Sequence, residues 1–174
     1  KPPMNNPLVL NRVLHLVDEE TINEVISTRY VELICFTLMP NHFHLMLRET
    51  KEGGITKYMH RLQVAYTKYF NTKYEKVGHH FQGPYKGIHV ENNNQILYLS
   101  TYIHRNPREI VNWKNKEHLY PWSSLQDYIG NNRWGKLIKP NIILNQFNNQ
   151  EEYKRFVNSS SAKKYGAAVD LLLD

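Results

Sequence analysis

Two histidines, His42 and His44, stand one residue apart in the apolar stretch LMPNHFHLML (38–47). Alternate side chains of a β-strand point to one face, so the two imidazoles would lie on the same side, roughly 6.6 Å apart along the chain. Phe43 and Leu45 would then point to the opposite side, into a core. Two convergent imidazoles on a strand make half of a site for a divalent metal. The alternative is a sheet in which one histidine is exposed and the other is hydrogen-bonded.

A tyrosine and an asparagine further along the chain offer the second half of such a site. In LYLSTYIHRNP (97–107), Tyr102 and Asn106 are four residues apart. On a helix they would share one face, about 5–6 Å apart at Cβ, with Tyr98 on that face one turn earlier. Taken singly, Tyr102 is typical of a half-buried core tyrosine and Asn106 of a C-terminal cap before proline. Their coincidence with the histidine pair favours a reactive site.

These four side chains have a coherent joint chemistry. Two imidazoles and an amide oxygen can hold Mg²⁺ or Mn²⁺ with positions left open for phosphate oxygens, and the metal then polarises a scissile phosphate. The phenolic oxygen of Tyr102 can attack phosphorus and form a covalent phosphotyrosine, which conserves the bond energy for religation. A phenolate leaves more readily than a serine alkoxide, so the reverse step stays accessible. The residues therefore predict metal-assisted phosphoryl transfer.

The elements that must hold these residues follow from hydropathy and turn chemistry. The β-branched, apolar stretch YVELICFT (30–37) predicts a strand, Met39-Pro40-Asn41 a turn, and residues 42–48 the returning strand of a hairpin. Asn92 to Asn94 offer caps for a helix from Gln95 to about Arg105. Pro107 ends this helix, because the residue before a proline avoids the helical region.

A long helix with two different faces is predicted after Gly53-Gly54. One face of this helix is apolar, and Lys57, Arg61 and Lys68 lie on another face, where they are available to phosphates. The alternative is that these charges form an ordinary solvated helix face. An earlier helical stretch, Leu8 to Ile26, is divided near Asp18 to Thr21, with either of these two residues as a cap. The apolar stripe of the long helix consists of Ile55, Tyr58, Met59, Leu62, Ala65, Tyr66, Tyr69 and Phe70.

The segments on either side of the Tyr102 helix are less regular. GHHFQGPYKGIHV (78–90) contains three glycines and a proline and predicts a bent or bulged strand. A strand would point the adjacent His79 and His80 to opposite faces, which argues against a shared metal role. YPWSS (120–124) begins a packed turn and a short helix with Ser123 or Ser124 as its cap. Residues 151–157 are predicted to be helical, and Ser159 to Ser161 to form a linker.

Composition narrows the class of partner. The 174-residue chain has a formal net charge of +6, which indicates an anionic partner, nucleic acid before membrane. Its twelve Tyr, six Phe and three Trp offer stacking surface to single-stranded nucleic acid, although most should lie in the core. A single cysteine, Cys35, excludes a disulfide framework and a thiolate zinc cluster. No stretch approaches the roughly 20 apolar residues of a transmembrane helix, which predicts a soluble, cytoplasmic protein.

MPNHFHLML, followed by TYIHRNP and then YPWSS, resembles the REP-associated tyrosine transposases, a branch of the single-tyrosine HUH transposases. The resemblance covers roughly Tyr30 to Gly130. It implies an α+β, ferredoxin-like domain with helices packed on an antiparallel sheet and the histidine pair on a central strand. It also implies Mg²⁺- or Mn²⁺-dependent cleavage of single-stranded DNA through a 5′-phosphotyrosine. In this resemblance His42 and His44 match the HUH histidines, Tyr102 the nucleophile and Asn106 the polar metal ligand.

Departures from the family's pattern affect DNA recognition. The family's first strand and its Asn-Arg-Gly-like turn have no counterpart here, so that strand either precedes Lys1 or is lacking. In GHHFQGPYKG, Phe81 and Pro84 replace the family's Trp and Arg, while Lys86 is retained with Tyr85 before it. Arg108-Glu109-Ile110 follows the Asn-Pro pair, where Val-Arg-Ala is usual.

The sequence thus predicts an HUH transposase domain over residues 1–130 and a C-terminal extension over 131–174. The expected activity is nicking and strand transfer on single-stranded DNA at hairpin-forming sequences, by a monomer or homodimer. Three alternatives stay open: a replication initiator or relaxase of the same chemistry, a non-catalytic hairpin-DNA-binding protein, and a structural metal site in an unrelated α/β protein. The predicted DNA contacts are Lys57, Arg61, Lys68, Tyr85 and Lys86.

Overall fold

The computed structural model describes residues 18–159. This part of the chain forms a β-hairpin flanked by helices. The predicted α+β class, with helices packed on an antiparallel sheet, is confirmed. Short 3₁₀ turns occupy Asn106–Glu109, Val111–Trp113, Glu117–Leu119 and Gly135–Leu137. The regular elements are α1 (Glu19–Thr28), β1 (Val31–Leu38), β2 (Phe43–Glu49), α2 (Gly54–Tyr74), α3 (Asn93–Arg105), α4 (Leu125–Ile129), α5 (Asn141–Leu144) and α6 (Gln150–Ser159).

The hairpin matches the predicted strand pair to within one residue at each end. Met39 N–H donates to the carbonyl of His42 at 2.8 Å and closes the turn, and β2 begins at Phe43. A register shift between Leu33 and Cys35 marks a bulge in β1. The extra residue lets both Ile34 and Cys35 point into the core, since neighbouring residues of a regular strand would face opposite sides. Among residues 18–159, β2 pairs only with β1.

Helix α1 begins directly after Asp18, which is one of its two predicted caps. The Asp18 carboxylate accepts the Thr21 N–H at 2.7 Å and the Thr21 hydroxyl at 3.1 Å. These hydrogen bonds hold the pKa of Asp18 below its ordinary value, because they favour the ionised form. The part of the predicted helix before Asp18, Leu8 to Val17, lies outside the described residues, as does the predicted loop before it.

Two glycines set the start of α2. Gly53 has φ +68°, in the left-handed region that residues with a Cβ rarely adopt. A Cβ on Gly54 would lie 2.5 Å from the Tyr30 carbonyl oxygen, so only glycine lets the helix approach β1 this closely. The predicted break therefore serves a packing purpose. It brings the first turns of α2 against the hairpin.

The outer edge of β1 is covered by two segments from the second half of the chain. Leu38 N–H donates to the Trp122 carbonyl at 2.8 Å, and Ser124 N–H donates to the Phe36 carbonyl at 3.0 Å. Further along the edge, Lys139 N–H donates to the Leu33 carbonyl at 2.8 Å. An open strand edge would expose unpaired backbone groups, so these segments complete the sheet in place of a full strand.

The largest apolar cluster lies between the hairpin, α3 and α6. Its buried members are Ile34, Cys35, Met46, Ile103, Leu125, Tyr128, Ile143, Tyr153 and Val157. Burial raises the pKa of the Cys35 thiol well above its usual range, so this cysteine is an inert core residue. Residues 138–157 belong to the same core as the hairpin. The division of the chain at residue 130 stays a prediction, and the predicted linker after Ser159 lies outside the described residues.

The connection between α2 and α3 differs from the prediction. Residues 78–90 were expected to form a bent strand, but the segment is irregular along its whole length. Gly78 has φ +100°, which breaks a strand, and Pro84 lacks the N–H that a ladder needs. Side chains hold the segment instead: Asn71 Nδ2 donates to the Gly78 carbonyl at 2.9 Å, and its Oδ1 lies 2.7 Å from His80 Nε2.

Candidate active site

The two histidines meet where the hairpin turn enters β2. His42 is exposed and immediately precedes the strand, while His44 is half-buried within it. Their ring centroids are 4.9 Å apart with the planes at 83°. His42 Nδ1 lies 2.8 Å from Asn41 Oδ1. An amide oxygen can only accept, so Nδ1 carries the proton and Nε2 keeps its lone pair for a ligand.

Helix α3 crosses the same face of the hairpin as His44. Thr37 is paired with His44 in the register, so the two side chains share a face. The buried Thr37 hydroxyl donates to the Ile103 carbonyl of α3 at 2.7 Å. Tyr102, next to Ile103, packs its ring edge-on against His44, with centroids 5.4 Å apart. Strand and helix thus bring a phenol beside the imidazole pair.

Phe43 points the other way, as strand geometry predicts. Its ring contacts Phe81 in the α2–α3 connection, with centroids 6.0 Å apart. Phe81 in turn contacts Tyr66 of α2 at 5.8 Å. The two faces of the histidine segment therefore belong to different helices, α3 on the histidine side and α2 on the Phe43 side.

Asn106 occupies the end of α3. Its residue is only 4% exposed, and its Nδ2 donates to the Tyr102 carbonyl at 3.4 Å. The Asn106 backbone N–H also bonds the carbonyls of Tyr102 and Ile103, so the predicted role as a C-terminal cap is present in the structure. Capping uses the amide nitrogen. The amide oxygen is the atom with the chemistry of a metal ligand.

His104, between the two candidate site residues, belongs to a buried hydrogen-bond network. Its Nδ1 lies 2.8 Å from Tyr153 Oη, and its Nε2 lies 2.8 Å from Ser124 Oγ. The Ser124 hydroxyl also contacts the Phe36 backbone of β1, so His104 joins α3 to β1 and to α6. Complete burial lowers the pKa of His104 to about 3, which keeps the ring neutral.

Tyr98, the other tyrosine on this helix face, points to a different partner. Its ring packs against Phe156 of α6, with centroids 5.9 Å apart. Tyr102 is the one that contacts a histidine. Of the two phenols, only Tyr102 is therefore next to the histidine pair in the described contacts.

The predicted DNA-binding residues fall in two places. Lys57, Arg61 and Lys68 are all exposed and lie within about 40° of one another around α2, on the side opposite Tyr66. The Lys57 ammonium stands over the Tyr30 ring, 4.9 Å from its centroid. Tyr85 and Lys86 lie in the irregular connection, where Tyr85 Oη is 3.2 Å from Thr56 Oγ1 at the start of α2.

Three residues that support the site were not anticipated in these roles. The sequence predicts only a turn position for Asn41, although it stands next to His42. Ser124 is one of the two predicted caps of α4, but its hydroxyl bonds β1 and His104. For Thr37 the sequence predicts only a strand position. A buried partner 66 positions away, as for Thr37 and Ile103, leaves no signal in local sequence.

The side chains present offer a divalent metal a mixed set of nitrogen and oxygen donors. The amide oxygen suits Mg²⁺ and Mn²⁺, and phosphate and water oxygens would complete the coordination of either ion beside the two imidazoles. The hydrogen bond from His42 to Asn41 has the form of an outer-shell contact that orients a metal-ligating histidine. Across residues 18–159 no group of three His, Cys, Asp or Glu side chains could hold a metal. The sequence predicts Asn106 as the further ligand beside the two histidines, and that role stays a prediction.

Comparison with known proteins identifies the family. The family model described as "Transposase IS200 like" matches residues 8–106, more than half of the chain. The chain belongs to the IS200-like transposase family. The matched range ends at Asn106 and so includes both histidines and Tyr102. No curated protein and no solved structure matches the chain.

Family membership fixes the coarse function. An IS200-like transposase binds DNA, and the family generally uses a divalent metal. The alternative of a structural metal site in an unrelated α/β protein is thereby removed. Within residues 18–159 no helix has the length and apolar character needed to cross a membrane.

Proposed function

We propose that this IS200-like transposase is a metal-dependent endonuclease and strand transferase for single-stranded DNA, with Tyr102 as nucleophile. The observation that carries the proposal is the contact of the Tyr102 ring with His44, 5.4 Å between centroids, beside a second imidazole 4.9 Å from the first. A phenol next to two imidazoles on a DNA-binding chain is suited to attack a phosphodiester.

In the proposed reaction, Tyr102 Oη attacks the scissile phosphorus and forms a phosphotyrosine at the 5′ end of the fragment on the 3′ side of the break. The bond between phosphorus and the 3′ oxygen breaks, and that oxygen leaves with the bonding electron pair and takes a proton from water. The phenolic proton is released to solvent. Because one phosphoester replaces another, a 3′ hydroxyl can later attack the phosphotyrosine and restore the DNA strand.

His42, His44 and Asn106 are the residues proposed to hold the metal. A bound Mg²⁺ or Mn²⁺ would polarise the phosphate and neutralise charge that develops on its oxygens. Asn41 would keep the His42 ring in the tautomer that presents Nε2, because its side-chain oxygen lies 2.8 Å from Nδ1. Neutral His104 has both nitrogens engaged with hydroxyls and holds α3 in place.

Lys57, Arg61 and Lys68 are proposed to contact phosphates of a DNA hairpin stem, with Tyr85 and Lys86 nearer the single strand. Exposed cations at helical spacing fit a regular phosphate backbone, and such contacts position DNA without reading its sequence. A cytoplasmic location and a monomeric or homodimeric state stay predictions.

The deciding experiment incubates the protein with 5′- or 3′-labelled hairpin oligonucleotides bearing single-stranded flanks, and with Mn²⁺. A denaturing gel should show a covalent adduct that retains only the label on the 3′ side of the cut. EDTA and Tyr102→Phe should abolish it, while Tyr98→Phe, which keeps the ring against Phe156, should not. An adduct in Tyr102→Phe would disprove the assignment. Tight binding without any adduct would indicate a non-catalytic hairpin-binding protein.

The metal assignment is tested separately by Mn²⁺ titration of the protein without DNA, followed by the loss of the free-ion resonance signal. Removing an outer-shell partner typically weakens metal binding about 10- to 100-fold, so Asn41→Ala should raise the dissociation constant by that factor. His42→Ala should remove binding. Asn132→Ala changes an exposed asparagine outside the site and should leave the affinity unchanged. Equal affinities for all variants would contradict this ligand set.

A further inference from the structure

Helix α2 is longer than the hairpin on which it packs. Its 21 residues span about 31 Å, and the seven residues of β2 span about 23 Å. Near its start Met59 is 4% exposed, as the predicted apolar stripe requires. Further along the helix the stripe residues Tyr66 and Tyr69 are 49% and 58% exposed, and Tyr74, one turn beyond the stripe, is 45% exposed. The second half of α2 thus leaves three tyrosines about half open to solvent.

Two of the exposed tyrosines, Tyr66 and Tyr74, belong to a row of aromatic rings in contact. From the hairpin, the row runs from Phe43 to Phe81 and Tyr66, then along α2. The centroids of Tyr66 and Phe70 are 6.1 Å apart, and those of Phe70 and Tyr74 are 4.5 Å apart. The row begins at the residue between His42 and His44. It therefore starts on the face of β2 opposite His44.

The irregular α2–α3 connection holds this row in place. His80 packs its ring against Phe70, with centroids 4.1 Å apart, and its Nε2 lies 2.7 Å from Asn71 Oδ1. Asn71 also fixes the connection through the Gly78 carbonyl. The rings are thus ordered before any ligand arrives, which lowers the entropy cost of binding.

The Lys73 ammonium lies beside the exposed end of this row of rings. Lys73 Nζ donates to Tyr69 Oη at 2.9 Å and stands over the rings of Tyr69 and Tyr74, 5.3 and 5.5 Å from their centroids. Exposed aromatic faces beside an ordered ammonium match the two parts of a single-stranded nucleotide, a flat base and a phosphate. On the outer face of α2, with Lys57, Arg61 and Lys68, the one such contact described is that of Lys57 with the half-buried Tyr30 ring.

We propose that Tyr66, Tyr69 and Tyr74 form a stacking surface for unpaired bases of the DNA strand, with Lys73 pairing a phosphate between them. The inference rests on the proposed function, since it names where the single strand lies relative to Tyr102. It divides α2 into two DNA-binding faces. The aromatic face binds bases of any sequence, and the outer basic face binds backbone.

The test measures binding of fluorescent single-stranded oligonucleotides by anisotropy, in a Tyr102→Phe background that prevents cleavage. Each oligonucleotide is compared with an abasic strand of the same length, which keeps the phosphates and removes the stacking partners. Stacking on an aromatic side chain contributes about 1–3 kcal/mol per base, or roughly 5- to 150-fold in affinity. Tyr66→Ala, Tyr69→Ala and Tyr74→Ala should each lose affinity in this range for the normal strand and little for the abasic one.

Matched variants separate stacking from other causes. Tyr66→Phe and Tyr74→Phe keep the ring and should bind like the parent, whereas Val64→Ala, on the outer face of the same helix, should have no effect. Circular dichroism checks that every variant is folded. Parent-like binding by all three alanine variants would overturn the inference, and so would equal affinity of the parent for normal and abasic strands.

Other occupants of this face give different results. If a second copy of the chain covers it, Tyr66→Ala will change the mass measured by light scattering without a base-dependent loss of binding. If another segment of this chain covers it, Tyr66→Ala will lower the melting temperature as a core substitution does. Either result overturns the inference. The inference is supported if the alanine variants lose base-dependent binding and the parent protein with Tyr102 forms the covalent adduct. Base-dependent binding by a parent protein that forms no adduct would instead disprove the proposed cleavage.

Discussion

Helices α3 and α2 flank the same hairpin, but they are held to it in opposite ways. Helix α3 is fixed by buried hydrogen bonds: Thr37 bonds its backbone, and His104 and Ser100 bond Tyr153 of α6. The end of α2 is held by ring contacts and leaves three tyrosines about half exposed. A nucleophile must stay at a set distance from phosphorus, whereas a stacking surface must accept different bases. The two kinds of anchoring suit these two proposed tasks.

His104→Ala should cause the largest loss of stability, and it tests whether buried hydrogen bonds hold α3. The substitution leaves a cavity and two hydroxyls without their buried partner, so it should lower the free energy of unfolding by about 3–5 kcal/mol. Urea unfolding followed by circular dichroism measures it. The exposed His118 provides the control, and His118→Ala should change stability by less than about 0.5 kcal/mol. A decrease under about 1 kcal/mol for His104→Ala would show that the network does not anchor α3.

A smaller decrease in stability should follow from Tyr153→Phe, which removes a single hydroxyl. That hydroxyl lies 2.8 Å from His104 Nδ1 and 3.1 Å from Ser100 Oγ, both buried. Removal of one such hydrogen-bonded group should cost about 1–2 kcal/mol in the same urea experiment. Tyr66→Phe removes a solvent-exposed hydroxyl and serves as the control. Equal stabilities of the two variants would remove the distinction drawn between α3 and α2.

The outer face of α2 should affect the salt dependence of DNA binding. Removing one cation that neutralises a phosphate of the hairpin stem should reduce the slope of log affinity against log salt by about 0.9, the value for duplex DNA. Lys57→Ala, Arg61→Ala and Lys68→Ala should therefore each flatten the slope for a hairpin oligonucleotide, and should weaken its binding equally whether its single-stranded flank is normal or abasic. Lys114→Ala, at an exposed site far along the chain, should leave it unchanged. If the Lys57 variant weakened only the normal strand, the two faces of α2 would not differ in function.

The smallest expected effect is the change in stability caused by Tyr69→Ala. Tyr69 is 58% exposed, so Tyr69→Ala should alter the free energy of unfolding by no more than about 0.5 kcal/mol. The same variant is expected to bind DNA more weakly. A destabilisation as large as that of Tyr153→Phe would mean that Tyr69 contributes to packing, and the contrast between the helices would then weaken.

Local patterns in the sequence were sufficient for the hairpin and for the helices that matter most. Asn92 caps α3 as predicted, with its side chain accepting the Gln95 N–H at 3.0 Å. Strand alternation correctly separates Phe43 from His44. The family assignment rests on short motifs and agrees with the family model. The histidine, tyrosine and asparagine roles rest on the same motifs and stay predictions for the adduct assay.

Local sequence patterns do not predict contacts between distant parts of the chain. The apolar stripe of α2 gives no indication of which of its residues stay exposed, because that depends on which distant segments pack against the helix. Gly78 and Pro84 are compatible with a bulge in sequence, but together they prevent a strand altogether. Ser124 resembles a helix cap in sequence. Only the fold shows that its hydroxyl reaches β1, 88 residues earlier.

That separation of 88 residues between Phe36 and Ser124 has a consequence during synthesis. A ribosome adds about 5–20 residues per second, so the hairpin emerges roughly 4–18 s before the segment that covers the edge of β1. During that interval the edge is a template for pairing with another nascent copy. Chains that stop between residues 49 and 120 would keep this edge permanently, and we expect them to aggregate where the longer chain does not.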